Sequence, residues 1–184
     1  GGQGTLLASR VIGNVALNND FDVKMSEVHG MAQRGGSVVT NVKIADRVYS
    51  PIIEKGEADI ILAFEKMEAL RWIDYIRPDG KMYLNDQQID PLPVIMGSAD
   101  YPEEIVEKIQ SNYNNITAVD ALSVAKECGT MKAVNTVLIG MMASELDLVK
   151  KEEWLNTVKD IVPDRFEEVN VGAFERGYNY RKNS

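Results

Sequence analysis

A seven-residue run, Ala58-Asp59-Ile60-Ile61-Leu62-Ala63-Phe64, constrains this chain more than any other segment. It is almost continuously apolar. A strand with one wet face alternates apolar and polar residues, so an unbroken run suits a strand buried on both faces of a parallel sheet. Helices to cover those faces can be read on either side. Thr5–Leu17 carries Leu6, Leu7, Val11, Ile12, Val15 and Ala16 at helical spacing, and Asn18-Asn19-Asp20 ends it. Residues 65–75 follow the apolar run with Met67, Leu70, Trp72 and Ile73. Residues 102–112 start with a proline in the first turn. Asp120 is placed to cap a helix through Lys126. Residues 131–143 have almost no polar face and should be buried. Lys151–Ile161 and residues 164–178 close the chain as helices parted by Pro163.

Further strands are expected at residues 21–28, 37–44, 81–85, 94–96 and 115–119. Arg77-Pro78-Asp79-Gly80 reads as a turn and Ala45-Asp46 as another. Strands alternating with helices imply an α/β fold. The expected form is a three-layer α/β/α sandwich, Rossmann-like, with a mostly parallel or mixed sheet. The consecutive runs around residues 21–44 would add an antiparallel pair. A length of 184 residues fits one domain, residues 1–184.

The formal charge is −8, from 20 basic and 28 acidic residues, which argues against a nucleic-acid partner. Cys128 is the only cysteine. An internal disulfide is therefore excluded, as is a cysteine-ligated iron–sulfur cluster or zinc site built from this chain alone; no metal site is expected. No apolar run approaches the roughly 20 residues that span a bilayer. No signal-peptide pattern is visible, so no membrane partner and a cytoplasmic location are expected.

Two glycine-rich segments carry the candidate chemistry. Gly1-Gly2-Gln3-Gly4 opens the first helix, where free backbone N–H groups attract anions, and Thr5 adds a hydroxyl. It is neither a complete G-x-G-x-x-G nor a P-loop, and tight strand–helix packing explains the glycines equally well. The cluster looks like the turn after a strand, and an apolar strand is expected before it. The second segment runs Ser26-Glu27-Val28-His29-Gly30-Met31-Ala32-Gln33-Arg34-Gly35-Gly36-Ser37. Gln33 and Arg34 supply donors for a carboxylate, a phosphate or a neighbouring subunit, and the glycines allow close backbone approach. The alternative is a hairpin loop with a solvated Arg34. His29 is the one candidate general base, without a nucleophile beside it in sequence, so no residue is assigned as catalytic. Glu65, Glu68 and Asp59 gather at the apolar strand, either to hold a ligand hydroxyl or as a charged helix start.

Taken together, these motifs resemble a known family. The glycine turn, Ser26 to Val38, Tyr49-Ser50-Pro51, Gly56-Glu57-Ala58-Asp59, Ala133-Val134-Asn135 and Ala173-Phe174-Glu175-Arg176-Gly177 occur in the order found in the gamma-type domain of 2-oxoacid:ferredoxin oxidoreductases. The His-Gly-Met-x-Gln-Arg-Gly-Gly form is similar to that of the small (beta) subunits acting on indolepyruvate. The resemblance implies a subunit, inactive alone, of an enzyme that oxidatively decarboxylates an aryl 2-oxoacid. Coenzyme A would receive the acyl group and ferredoxin the electrons. Thiamine diphosphate and [4Fe–4S] clusters would lie in a large alpha partner subunit. Gly2, Gly4 and Thr5 would then edge the cleft, and His29, Gln33, Arg34, Gly35 and Gly36 would face the partner, its cofactor or coenzyme A. Two other readings remain at this point: a stand-alone nucleotide-binding α/β domain and a purely structural assembly subunit.

Overall fold

The computed structural model describes residues 4–30, 36–146 and 148–180. Three strands, β3 (Ala58–Ala63), β4 (Ile76–Asn85) and β5 (Ile116–Val119), form a parallel sheet in the order β3-β4-β5. The apolar run at residues 58–64 is the strand expected of it. Side chains alternate between the faces, as strand geometry requires. Ile60, Leu62, Tyr83 and Val119 join one core. Ile61, Ala63, Met82, Leu84 and Ile116 join the other.

Helices cover both faces. On the first lie α1 (Thr5–Leu17), α5 (Ala121–Glu127), α6 (Val134–Ala143), α7 (Lys151–Ile161) and α8 (Glu167–Tyr178). On the second lie α2 (Lys66–Trp72) and α4 (Ile105–Asn112). The result is the three-layer α/β/α sandwich expected. All ten residues of α6 are buried, so this helix is the centre of its layer. It packs on α8 through two glycines. A Cβ at Gly140 would sit 2.2 Å from the Phe174 carbonyl oxygen, and one at Gly177 would sit 2.0 Å from that of Val137. Glycine at both places lets the two backbones touch.

The antiparallel pair also exists, as β1 (Asp22–His29) and β2 (Val38–Ala45), in register from Asp22↔Ala45 to His29↔Val38. It forms its own ribbon against α1 and, among the described residues, is not hydrogen-bonded into the parallel sheet.

Three local expectations change. The helix expected over residues 102–112 starts only at Ile105, with Glu104 as its N-cap, so Pro102 precedes it instead of sitting in its first turn. Residues 94–96 are not a strand but the end of a short helix, α3 (Leu92–Ile95). Pro93 in its first turn has the φ a helix needs, and three apolar residues were too few to reveal a period. The Arg77–Gly80 turn lies inside β4. Pairing jumps from Ala58↔Ile76 to Ile60↔Lys81, so the turn residues bulge out of the ladder. Gly80 permits this, because a Cβ there would lie 2.8 Å from the Ala58 carbonyl oxygen.

Candidate functional site

The carboxyl end of β3 opens into a cleft of about 520 Å³ where α1, β2, α2 and α3 converge. Thr5, Gly36, Ser37, Glu65, Glu68 and Arg71 line it. Thr5, which follows the first glycine segment, and Gly36 and Ser37, which end the second, thus meet at one sheet edge, where open α/β sheets bind their ligands.

Gly4 is the N-cap of α1, with φ 88°, a left-handed conformation that favours glycine. Among the described residues no side chain caps the helix. Asn135, 1% exposed at the start of α6, donates from Nδ2 to the Gly4 carbonyl at 3.2 Å. A Cβ on Gly4 would lie 2.5 Å from that nitrogen. The first turn of α1 is therefore fixed by a buried amide. Sequence reasoning noted Asn135 in a motif but gave it no role; the signal was a lone amide in an apolar helix.

The second glycine loop is pinched at its base. The Gly30 N–H donates to the Ser37 carbonyl at 2.7 Å, just beyond the His29↔Val38 pair. Ser37 Oγ donates to Glu68 Oε2 at 2.5 Å, and Arg71 pairs with Glu68 Oε1 at 2.5 Å. Glu68 therefore ties the end of the loop to α2. Glu65 caps α2 by accepting the Glu68 N–H at 3.0 Å. Its other oxygen accepts from the Ile89 N–H at 3.3 Å and from the Tyr101 hydroxyl. Glu65 is 4% exposed, and burial followed by the Glu65 carboxylate pushes the Tyr101 phenol well above its usual range. Both glutamates thus act as a helix start and as latches for neighbouring loops.

Asp59 does not join them. It lies at the opposite end of β3, exposed and paired with Arg77. Asn85, fully buried at the carboxyl end of β4, bonds the Phe64 carbonyl at 3.1 Å and the Ala121 N–H at 3.1 Å. It sets β3 and α5 at a fixed spacing beneath the cleft.

His29 projects from the tip of β1. Its side chain is 65% exposed, with Nε2 2.7 Å from Glu27 Oε1. Glu27 also accepts from Thr40 across the ribbon at 3.2 Å. No described nucleophile accompanies His29. Of the expected site residues, Thr5 and Gly36 line the cleft, Gly4 supports it, and His29 stands on the ribbon leading to it. Gly2, Gln33, Arg34 and Gly35 lie outside the described residues.

With this geometry established, comparison with known proteins is decisive. The sequence profile of the pyruvate ferredoxin/flavodoxin oxidoreductase family matches residues 1–180. The chain belongs to this family. It is 39% identical to indolepyruvate oxidoreductase subunit IorB of Pyrococcus horikoshii, over 99% of this chain and 92% of that protein. It is 25% identical to the pyruvate/ketoisovalerate oxidoreductases common subunit gamma of Thermococcus kodakarensis, over 97% of this chain and 91% of that protein. The gamma subunit of a keto/oxoacid ferredoxin oxidoreductase from Geobacter sulfurreducens shares the fold, with a TM-score of 0.72, 24% identity, and coverage of 100% of this chain and 95% of that one. Family membership agrees with a cleft at the sheet edge and with the resemblance read from the glycine motifs.

Proposed function

We infer that this chain is the small, cluster-free subunit of an indolepyruvate:ferredoxin oxidoreductase. One observation carries the substrate class. Identity is 39% to the indolepyruvate subunit but 25% to the pyruvate/ketoisovalerate subunit, at nearly equal coverage. The subunit folds as a single domain over residues 1–184 and works in the cytoplasm with a large alpha subunit. No helix among the described residues is long and apolar enough to cross a membrane.

The residues present do not fit an iron–sulfur cluster. A [4Fe–4S] cluster needs about four thiolates, and this chain has Cys128 alone. Among the described residues no group of three or more His, Cys, Asp or Glu could hold a metal ion. We assign the clusters, and with them thiamine diphosphate, to the partner, as the family resemblance implies. Coenzyme A fits better. Its phosphates suit the amino end of α1 with Thr5 and Arg34, and the glycines at positions 2, 4, 35 and 36 let the backbone come close. His29 and Gln33 face the partner or the same ligand.

The reading is tested by co-expressing this chain with its large subunit under anaerobic conditions and assaying indolepyruvate-dependent ferredoxin reduction. A stable complex active on indolepyruvate supports it. A chain that remains alone, or a complex active only on pyruvate, overturns it. Arg34→Ala should raise the KM for coenzyme A at least tenfold in an assembled complex, and unchanged assembly, kcat and KM would remove Arg34 from the site.

A further inference from the structure

The chain between β4 and α4 carries an exposed apolar knuckle. Ile89, Leu92, Ile95 and Met96 are between 45% and 71% exposed. Leu92, Ile95 and Met96 stand three and four residues apart along α3, so they share one side of that turn. The knuckle is tightly held in spite of its exposure. The Val94 and Ile95 N–H groups donate to the Pro91 carbonyl, and the Met96 N–H donates to that of Leu92. The Ser98 N–H and hydroxyl both donate to the Pro93 carbonyl. Pro91 and Pro93 each have a fixed φ. At the base, the Lys66 N–H donates to the Gln87 carbonyl at 3.1 Å. The buried Glu65 carboxylate accepts from the Ile89 N–H before α3 and from the Tyr101 hydroxyl after it. One carboxylate thus pins both ends of the excursion.

Charge surrounds this apolar surface with one sign. Residues 86–104 hold five carboxylates, Asp86, Asp90, Asp100, Glu103 and Glu104, and no Lys, Arg or His. All five are exposed. Lys66 pairs with Asp86 at 3.4 Å. Among the described residues the other four have no ion-pair partner. An apolar patch inside an acidic rim selects its occupant. The rim repels nucleic acid and anionic lipid. It also repels a symmetric second copy, because a two-fold contact sets the same patch against itself and faces carboxylates with carboxylates. The complementary surface is an apolar pocket on a protein, rimmed by Lys and Arg.

We propose that α3 is a docking knuckle that seats in such a basic-rimmed apolar pocket, and that the pocket belongs to the large subunit. The second clause rests on the function inferred above. Ile89, Asp90, Leu92 and Ile95 also border the cleft at the carboxyl end of β3, so a partner seated on α3 closes one side of that cleft. The preformed turn lowers the ordering cost of association, because its prolines and internal hydrogen bonds leave little freedom to lose. Leu92, Ile95 and Met96 give up their exposed apolar surface on docking and supply the affinity. The carboxylates set orientation and encounter rate, an effect that salt screens.

The test measures association of this chain with the purified large subunit under anaerobic conditions. Leu92→Ser/Ile95→Ser should weaken binding about a hundredfold or more and hold the melting temperature of the free chain, since both side chains are exposed. Leu17→Ser, at a similarly exposed residue at the end of α1, should change binding by less than about threefold. Asp90→Asn/Asp100→Asn should flatten the fall in association rate with added salt. Hydrogen exchange over residues 91–98 needs no variant, and complex formation should slow it about tenfold or more. Unchanged exchange there, or unchanged binding by the double serine variant, in a complex active on indolepyruvate overturns the docking assignment and leaves the function standing. Equal losses from Leu92→Ser/Ile95→Ser and Leu17→Ser also overturn it. So does a homodimer of this chain that the double serine variant dissolves, because a second copy then occupies α3. A chain that binds no large subunit refutes the inferred function, and the docking assignment falls with it.

Discussion

Gly177→Ala gives the sharpest test of the packing argument. The added methyl would lie 2.0 Å from the carbonyl oxygen of Val137 and 2.9 Å from its carbon. Real Cβ contacts do not fall below 3.0 Å, so α8 and α6 must move apart by about 1 Å or more. The obstacle is backbone on a helix buried at every residue, and no rotamer change relieves it. The displaced contacts include Phe174 and Leu138, both fully buried. Overpacking a core costs about 1–3 kcal/mol, and a backbone collision falls at the top of that range. Alanine returns about 1 kcal/mol through helix propensity. The net loss is about 2 kcal/mol, or a fall of about 4–8 °C in Tm for a domain of this size. Gly172→Ala is the control in the same helix. Its nearest neighbour would be Cys128 Sγ at 4.0 Å, an ordinary contact. That variant should gain up to about 1 kcal/mol from propensity alone. Both are read by thermal circular dichroism. A Gly177→Ala protein melting at or above the parent temperature refutes the reasoning. Equal losses from both variants would show that the methyl collision is not the cause.

Three other outcomes are expected. Gly4→Ala should cost about 2–3 kcal/mol, from left-handed strain plus the clash with Asn135. In an Asn135→Ala background the increment should shrink to about 1 kcal/mol, measurable as a double-mutant cycle in urea. Asp120→Ala should cost about 1 kcal/mol, because Asp120 caps α5 through the Ser123 N–H at 2.9 Å. The Ser123 hydroxyl and then its amide hold the Asp120 carboxyl below the usual range, so its stabilisation is present above that range and is lost as pH falls through the native value; the variant should show a shallower acid limb. Tyr101 behaves in the opposite sense. Its phenol is raised in the folded state, so its contribution is full below an unfolded pKa of about 10 and is lost as pH rises beyond it. Denaturation midpoints measured from neutral to strongly alkaline pH should fall less steeply in Tyr101→Phe than in the parent.

What the sequence revealed depended on whether the signal was periodic or spatial. The boundaries of α1 and α7 were legible because apolar residues recur at helical spacing and Asn or Pro ends the pattern. The run at residues 58–64 was legible as a strand covered on both sides. Residues 94–96 misled because three apolar residues carry no period, while Pro93 in a first turn decided for helix. Arg77-Pro78-Asp79-Gly80 has turn chemistry, but β3 holds both flanks in one ladder, and tertiary pairing turned it into a bulge. At the site, glycine content marked the two loops but not their meeting point. Asp59 and Glu65 are six residues apart, which in a strand places them at opposite ends. Asn135 and Gly4 are 131 residues apart, and only the fold brings them together.

The described polar groups around the cleft are largely engaged in holding the frame. Glu65 latches α2, the Ile89 loop and Tyr101; Glu68 latches Ser37 and Arg71; Asn85 joins β3 to α5; Asn135 fixes the start of α1. A buried carboxylate with three donors is poorly suited to taking a proton during turnover, because each donor would lose its acceptor. This chain therefore fits a role of positioning rather than of bond-making, which agrees with a proposed partner that carries the thiamine and the clusters. The division also sets an expectation for substitutions. Changes at Glu65, Asn85 or Asn135 should act first on stability and assembly. Changes at Thr5 or Arg34 should act on ligand affinity in a complex that still forms. If Glu65→Gln left stability and assembly intact while abolishing turnover, the frame would itself be part of the chemistry, and positioning would no longer describe this subunit.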